Sequence, residues 1–472
     1  MSNITNLLNT SKTHFRIFKI AGEVANSIDY KAYLVGGYVR DKLINNNYIT
    51  KDIDITVNGD FMKYANSLAK KLDIKNIIPF EQFRTAKLIH EEIEIEIAQT
   101  RKESYYEKSR KPEVESATLE EDLLRRDFTI NAIAVSLNNN DFGDVIDPVG
   151  GIKDLNKGNI ITPLDPDETF SDDPLRMLRA VRFASKLNFQ IASNIMDSIE
   201  RMKNRIEIIS WERITEEIIK SLNSDTPSIA FYAMKKTGLL AYVFPELDVM
   251  SGVEVIDGKS HKDVFIHTLQ VVDNAAKLTD KMEIRFAALV HDIAKPPTKE
   301  FDKVKGWTYH GHEELGRKMI KKVAERMKIS NELRDYLMNM TKLHLRPIAL
   351  AKKNITDSAI RRLMVEAGDN IDDLMILCRA DITTKNKTKV EKYIGNFNHV
   401  EELMKNVKLR DELRNFQSPV DGIEIMKVLK LKPGKVVGNI KKQIEEAILD
   451  GKIANTYDDA FQYMMTIKDQ FL

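Results

Sequence analysis

The chain has 472 residues, 43% hydrophobic and 30% charged, with a formal net charge of +1. That length exceeds one hydrophobic core and implies roughly two to four domains, while the composition excludes a disordered chain. A single cysteine, Cys378, excludes an intramolecular disulfide framework and a cysteine-based zinc site, and it suits a reducing cytoplasm. Met1–Thr10 is polar and no run of about 18 apolar residues occurs, so neither a signal peptide nor a membrane span is expected. With so little net charge, a polyanionic partner has to be met by local clusters. One such cluster is the acid-free stretch Lys427, Lys430, Lys432, Lys435, Lys441 and Lys442, which reads equally as a solvated lysine face.

The first ~150 residues carry an α/β pattern. Tyr33–Val35 is a short strand that runs into Gly36-Gly37. Ile53–Val57 and Glu92–Ile97 alternate with period two, and a helix over Phe61–Leu72 lies between them. Beyond Asp165 amphipathic helical patterns dominate. Val149-Gly150-Gly151 and Thr162–Pro166 punctuate the change, and Ser251–Ser260 reads as a loop. Neither an internal repeat nor a low-complexity tract is present.

Four motifs carry chemistry. In Leu34-Val35-Gly36-Gly37-Tyr38-Val39-Arg40-Asp41, paired glycines after a strand let backbone N–H groups approach an anion, and Arg40 follows one turn into a helix. Glycine also serves ordinary tight turns, so this motif alone is weak. In Lys51-Asp52-Ile53-Asp54 the two aspartates share one strand face, a repulsive arrangement that a cation such as Mg²⁺ relieves. Glu96 on the next alternating strand is a third candidate carboxylate, with Glu92 and Glu94 on the same face. Arg125-Arg126-Asp127-Phe128-Thr129-Ile130-Asn131 reads either as a structural ion pair or as clamps on phosphate oxygens. In Asp172-Asp173-Pro174-Leu175-Arg176, Pro174 suits a first helical turn, and Asp173 with Arg176 offers an acceptor and a forked donor for a base edge. Arg176, Arg179 and Arg182 recur every third residue, a stripe that drifts around a helix and cannot converge on one point.

Taken in order, LVGGYVRD, DID, RRDFTINA and DDPLRMLRAVRFA resemble the bacterial CCA-adding enzyme and poly(A) polymerase family, class II of the polymerase-β-type nucleotidyltransferases. The segment from Arg101 to Asp122 resembles the family's flexible loop. Trp211–Glu217, Gly238-Leu239-Leu240 and Phe244–Leu247 resemble its helical neck. The resemblance implies an α/β head over 1–155, an all-α neck over 156–255, an HD domain over 256–395 and a helical tail over 396–472. It further implies addition of CCA to tRNA from CTP and ATP, without a protein partner. Asp52 and Asp54, with Glu96 as the third catalytic acid, would hold Mg²⁺. Gly36, Gly37, Arg40, Asp41, Arg126, Asp127, Asn131, Arg179 and Arg182 would form the nucleotide site, and Asp173 with Arg176 would select the base. The chain departs from the pattern twice: Asp172 replaces a glutamate, and Arg84 stands where glycine is common.

His267, His291-Asp292 and Asp381 follow the order of the HD phosphohydrolases, whose imidazoles and carboxylates hold a divalent ion such as Mg²⁺, Mn²⁺ or Ni²⁺. His310, His312 and His344 lie between them as candidates for a second metal or a phosphate. Two rival readings remain. One is a sister transferase, either a poly(A) polymerase or an enzyme adding only CC or only A, against which stand the loop and the near-neutral charge. The other is an HD phosphohydrolase with an RNA-binding N-terminal domain, against which stands the Asp52/Asp54 pair, since clustered carboxylates repel RNA.

Overall fold

The computed structural model describes residues 3–45, 47, 50–104, 113–351, 356–414, 418–449 and 452–471. Two compact units emerge, one of Met1–Ala349 with Glu366–Ile394 and one of Leu350–Val365 with Gly395–Leu472.

The first unit opens on α1 (Thr5–Leu8) and α2 (Lys12–Ser27), then builds a seven-stranded sheet. Its strands are β1 (Lys31–Leu34), β2 (Asp52–Asn58), β3 (Ile77–Phe80), β4 (Thr85–His90), β5 (Ile93–Gln99), β8 (Ala134–Ser136) and β9 (Val145–Ile146). They lie in the order β3-β4-β5-β2-β1-β8-β9, and only β2 and β5 run parallel. Two further strands, β6 (Arg101–Ser104) and β7 (Glu113–Ser116), pair with each other outside that sheet. Residues 105–112 of the loop expected from Arg101 to Asp122 lie outside the described residues.

Period-two alternation sets the two faces of the sheet. Ile53, Ile55 and Val57 on β2, with Ile93, Ile95 and Ile97 on β5, are buried in one core with α2 and with α4 (Phe61–Lys71). Each such side chain contributes about 1.5–3 kcal/mol of apolar burial. The alternate positions, Asp52, Asp54, Glu94 and Glu96, therefore emerge on the opposite face. A one-residue slip of either strand would drive its two carboxylates into the core, which is why the pairing Asp54↔Glu96 is so strongly specified. Asp60 caps α4 by accepting the Lys63 N–H at 2.6 Å.

The chain leaves β1 for α3 (Gly36–Ile44) through Gly36, whose φ is +71°. A Cβ there would stand 2.9 Å from Asp54 Oδ2, so this position needs glycine both for backbone conformation and for close approach. A capping box at Thr118 and Glu121 starts α5 (Leu119–Leu124). After α6 (Gly151–Lys157) and α7 (Pro166–Asp172) comes α8 (Leu175–Leu187), followed by α9 (Ser193–Met202) and α10 (Trp211–Leu222). Pro174 ends up immediately before α8, and Asp173 accepts the Leu175 N–H at 3.0 Å.

Helices account for most of the rest, as the sequence pattern implies. Ser251–Ser260 is a departure: it contains a small hairpin, Val255–Ile256 with Lys259–Ser260, rather than a plain loop. Asp257 and Gly258 at its tip have φ values of 49° and 71°, the left-handed pair that a two-residue turn demands. The helices Val264–Leu278, Met282–Val290, His312–Met327, Asn331–Leu343 and Ile371–Ala380 form the histidine-bearing part of the first unit.

In the second unit, Gly422–Leu429, Lys435–Leu449 and Tyr457–Ile467 enclose a core that includes Ile425, Ile440, Ile444 and Met464. Lys441 and Lys442 pair with Glu445 and Glu446 one turn on, at 3.8 and 3.6 Å. None of the helices among the described residues is long and apolar enough to cross a membrane.

Candidate active site and a second polar centre

A cleft of about 780 Å³ opens beside the acid-bearing face of the sheet. Its lining includes Gly36, Asp54, Glu96, Arg126, Arg176 and Arg213. Asp54 and Glu96 are register partners across β2 and β5. Burial first, and then the neighbouring Glu96 and Asp52 charges, push the Asp54 carboxyl up to about 6 against the opposing pull of Arg126 and Arg40. A carboxylate so disfavoured as an anion is a group waiting for a cation. The alternatives to Glu96 are engaged elsewhere: Glu94 pairs with Lys87, and Glu92 with Lys51 at 2.6 Å.

Arg126 faces these acids from across the cleft. It is held by Asp122, a nearly inaccessible carboxylate that also takes Arg125 at 2.7 Å and Arg126 at 3.1 Å. Burial alone would raise the Asp122 carboxyl, but the two guanidinium groups outweigh it and hold it below the usual range.

A second network runs behind the glycine turn. Arg40 donates to Asp41 at 2.6 Å and to Asn131 at 2.7 Å, and Asn131 donates to Asp127 at 2.9 Å. Asp127 also accepts from Arg179 Nε at 2.7 Å. Burial opposes this carboxylate too, yet Arg179 and Asn131 bring its pKa down to about 2. Phe183 lies beneath the Arg40, Arg179 and Arg182 guanidinium groups, with centroid distances of 4.9, 5.4 and 4.0 Å.

The arginine stripe on α8 diverges, as its spacing requires. Arg176 donates to the carbonyls of Thr169 and Arg125, at 3.4 and 2.7 Å, while lining the cleft. Arg179 also lines it. Arg182 does not: it turns to Glu217 on α10 at 2.5 Å. Nor do Asp41 and Asp52 line the cleft; Asp41 is occupied by Arg40, and Asp52 is exposed at the start of β2. Asp173 and Arg176 are not joined through their side chains. The Asp173 carboxylate instead takes Arg213 at 2.9 Å.

Arg213, which lines the cleft, and Asp122, which holds Arg126, are the residues around it that motif reasoning passed over. The signal for Arg213 was the charged start of the helix at Trp211, and that for Asp122 was the Thr118–Glu121 capping box ahead of two arginines. Arg84 adopts φ 49°, ψ 46°, the left-handed conformation that favours glycine, and its guanidinium donates to Ser116 Oγ at 3.0 Å.

The second centre gathers six side chains from well-separated positions. His267, His291 and Asp381 form one group of ligand atoms, and Asp292, His312 and His344 form another, the atoms of each group lying within 4.8 Å of one another. That span fits ligands about 2.0–2.2 Å from a common ion. His267 Nε2 is 3.0 Å from Asp381 and 3.5 Å from Asp292, and His291 Nε2 is 3.2 Å from Asp292. Lys295 donates to Asp292 at 2.6 Å. Burial, the adjacent His291 imidazole and Lys295 compete at Asp292; the last two prevail and hold its carboxyl well below the usual range. His344 goes the other way, pushed down to about 4, mainly by burial and then by His291. His310 belongs to neither group.

Comparison with known proteins assigns these parts. Residues 32–161 match the family model of the Poly A polymerase head domain. Residues 188–250 match the probable RNA and SrmB-binding site of polymerase A, and 264–386 the HD domain. Fold and site thus define a nucleotidyltransferase with a mixed-sheet head and an HD domain. The multifunctional CCA protein of Vibrio campbellii is 32% identical over 363 residues, 74% of this chain and 85% of that protein. The multifunctional CCA protein of Shewanella frigidimarina is 31% identical over 435 residues, 88% of this chain and 99% of that one. The chain belongs to this CCA-protein family. Among solved structures, a CCA-adding enzyme in complex with CTP shares the fold at a TM-score of 0.61, with 21% identity and 98% of both chains covered.

Proposed function

We propose that this chain adds CCA to the 3′ end of tRNA from CTP and ATP, releasing pyrophosphate. The observation that carries the reading is the cation-deficient carboxylate pair Asp54/Glu96, set across a cleft from Arg126 and beside the Asp173–Arg213 pair. The family relatives bear the name of that activity.

Asp52 and Asp54 would hold Mg²⁺, with Glu96 completing an oxygen donor set. Bound there, the ions supply charge neutralisation for the triphosphate and activation of the attacking hydroxyl. Gly36 and Gly37 leave room for phosphate oxygens beside the backbone. Arg126, fixed by Asp122, and Arg40, fixed by Asp41 and Asn131, offer guanidinium donors without reorganisation. Asp127 and Arg179 brace one another in that wall, and Arg182 supports Phe183 from behind. Asp173 accepts and Arg176 donates at the base edge, with Arg213 orienting the carboxylate. The tRNA 3′-hydroxyl attacks the α-phosphorus, the new phosphodiester forms, and pyrophosphate leaves. Such a reaction puts the chain in the cytoplasm with tRNA, where the buried, reduced Cys378 is at home.

Purified chain given tRNA transcripts ending before C, CC or CCA tests this, with CTP and ATP supplied separately and together. Addition of CC from CTP alone and of the terminal A only after CC supports the reading; indiscriminate tailing with A overturns it.

A second activity is favoured by one observation, the buried histidine and aspartate cluster. His267, His291, Asp292 and Asp381 would hold a divalent ion, Mg²⁺, Mn²⁺ or Ni²⁺, which would supply an acidified water as nucleophile toward a phosphoester such as a 2′,3′-cyclic phosphate at a damaged tRNA end.

A further inference from the structure

The sheet face that carries the catalytic acids runs on beyond the cleft. Across it, Asp54 and Glu96 are followed by Lys87 on β4 and Ile78 on β3. In the neighbouring row Ala98 is followed by Thr85 and Phe80. Register fixes these rows, because opposed residues of paired strands project to the same side. Ala98 and Thr85 line the cleft, and so does Phe83, from the turn Glu81–Phe83 between β3 and β4.

Further out the face turns apolar and stays open. Ile78, Phe80, Phe83 and Ile89 are 45, 46, 45 and 51% exposed. Ile77 packs against the core, so alternation sends Ile78 and Phe80 to the opposite side. Large apolar side chains left exposed together mark a contact surface. Ile78 and Phe80 are about 7 Å apart along β3, twice the ~3.4 Å spacing of stacked bases.

Two features decide what this surface receives. β3 is the last strand of the sheet and carries Pro79, which has no N–H to offer an added strand. The occupant is therefore held by side-chain faces and not by backbone pairing. Continuity with the cleft is the second feature. The other large apolar side chains of the lining, Val35, Ile55, Leu175 and Phe183, are buried, so an apolar ligand surface enters at Phe83. Arg101 also lines the cleft and donates to the Phe83 carbonyl, which sets a cation beside that ring. Asp52, Glu94 and Glu96 repel phosphate on the same face, so a nucleic acid lying here turns its bases to the sheet. Unpaired RNA offers such bases, and aromatic side chains stack them with little regard to sequence.

We propose that this strip seats the unpaired 3′ end of the tRNA primer, with bases stacked on Phe83 and Phe80 and the terminal hydroxyl delivered toward Asp54 and Glu96. The inference rests on the CCA-adding reading and adds to it the side chains that grip the attacking strand. Stacking suits that task because the terminal base changes with each addition, and a hydrogen-bonding pocket for one base would reject the next.

Kinetics of A addition to a tRNA ending in CC test this with the full chain. Phe80→Leu/Phe83→Leu keeps apolar side chains and removes both aromatic faces. KM for the tRNA should rise about tenfold, the scale of lost base stacking, with kcat at saturating tRNA changed less than about twofold. Phe80→Tyr/Phe83→Tyr should match the unmodified chain. Removal of single bases from the primer end, with the sugars kept, should raise KM for the unmodified chain and add little in the Leu variant, because ring and base form one contact. Phe80→Glu stands in if the Leu variant fails to fold by circular dichroism, and it should raise KM likewise. Unchanged KM in these variants, or base-removal penalties that simply add, overturns the platform and leaves the CCA reading intact. An unmodified chain that sediments as a dimer and separates on Phe80→Glu assigns the strip to a second copy and also overturns it. No addition of A by the unmodified chain overturns both.

Discussion

Asp54 stands on the cleft-facing side of the sheet with Glu96 beside it and guanidinium groups lining the same cleft, whereas Asp292 is enclosed by four imidazoles and a lysine. Both are carboxylates in regions that disfavour charge, yet their pKa shifts run in opposite directions. Asp54 rises to about 6, because burial and neighbouring acids outweigh its arginines. Asp292 falls, because His291 and Lys295 outweigh burial. The contrast is chemical. An oxygen-only site that stays short of positive charge suits ions arriving with a triphosphate, while a mixed nitrogen and oxygen site suits ions that remain bound.

The sharpest way to break that contrast is to remove one centre and follow the other. Asp54→Ala is expected to lower nucleotide addition by at least ~100-fold, the scale of losing one electrostatic stabiliser, while tRNA binding persists. Metal content at the histidine cluster should not change. Reciprocally, the His291→Ala/Asp292→Ala double variant should retain CCA addition and lose hydrolysis of a 2′,3′-cyclic mononucleotide assayed with Mg²⁺, Mn²⁺ and Ni²⁺ in turn. Loss of both activities in either variant would mean that the centres are not independent.

The two centres also differed in how far the sequence revealed them. The head was legible because its chemistry is local: Asp52 and Asp54 are two residues apart on one strand, and Gly36 precedes Arg40 on one helix. What stayed hidden were the partners supplied by distant segments, as with Arg213, forty positions from Asp173 yet bonded to it. Glu96 could not be separated from Glu92 and Glu94 by pattern, because what distinguishes them is spatial: Glu96 pairs in register with Asp54 and lines the cleft, while Lys87 and Lys51 take the other two. In the HD region the ligands were visible as residue types in order. The shared position of Asp292 between two histidine pairs was not, since no spacing encodes where five helices bring their side chains.

A pH series sharpens the comparison at Asp54. Its folded pKa lies above the ordinary 3.8, so the folded metal-free head binds this proton more tightly than the unfolded chain does. The contribution favours folding at low pH and is lost as pH rises from about 4 to about 6. Asp54→Asn should therefore raise the melting temperature of the chelator-treated chain above pH 6 and have little effect near pH 4. Mn²⁺ affinity at the head should climb roughly tenfold per pH unit below 6 and level off above it, since the carboxyl must give up its proton to ligate. A flat profile from pH 5 to 7 would show that Asp54 is already ionised.

A smaller effect is expected at Arg213. Truncation to Ala frees the Asp173 carboxylate from its 2.9 Å partner without touching the acids on the sheet. Discrimination against GTP and UTP on a tRNA ending in CC should weaken by about 1–3 kcal/mol, the worth of a well-made base contact, with less change in the rate of correct addition. Equal losses for all four nucleotides would reassign Arg213 to general scaffolding of the neck.

The smallest change belongs to Arg84, the residue at φ 49° between the strands that carry Phe80 and Thr85. A side chain in this left-handed conformation costs roughly 1–2 kcal/mol, a strain that glycine does not bear. Against that relief stand glycine's greater freedom in the unfolded chain, about 0.5–1 kcal/mol, and the lost bond to Ser116. The Ser116 bond is exposed and adds little. Arg84→Gly is therefore expected to be neutral or to stabilise the head by less than ~1 kcal/mol, read as a small rise in the denaturant midpoint. The same variant should leave metal binding at the histidine cluster untouched. Destabilisation beyond 1 kcal/mol would mean that the Arg84–Ser116 bond, which ties the sheet to the β6–β7 pair, is worth more than its exposure suggests.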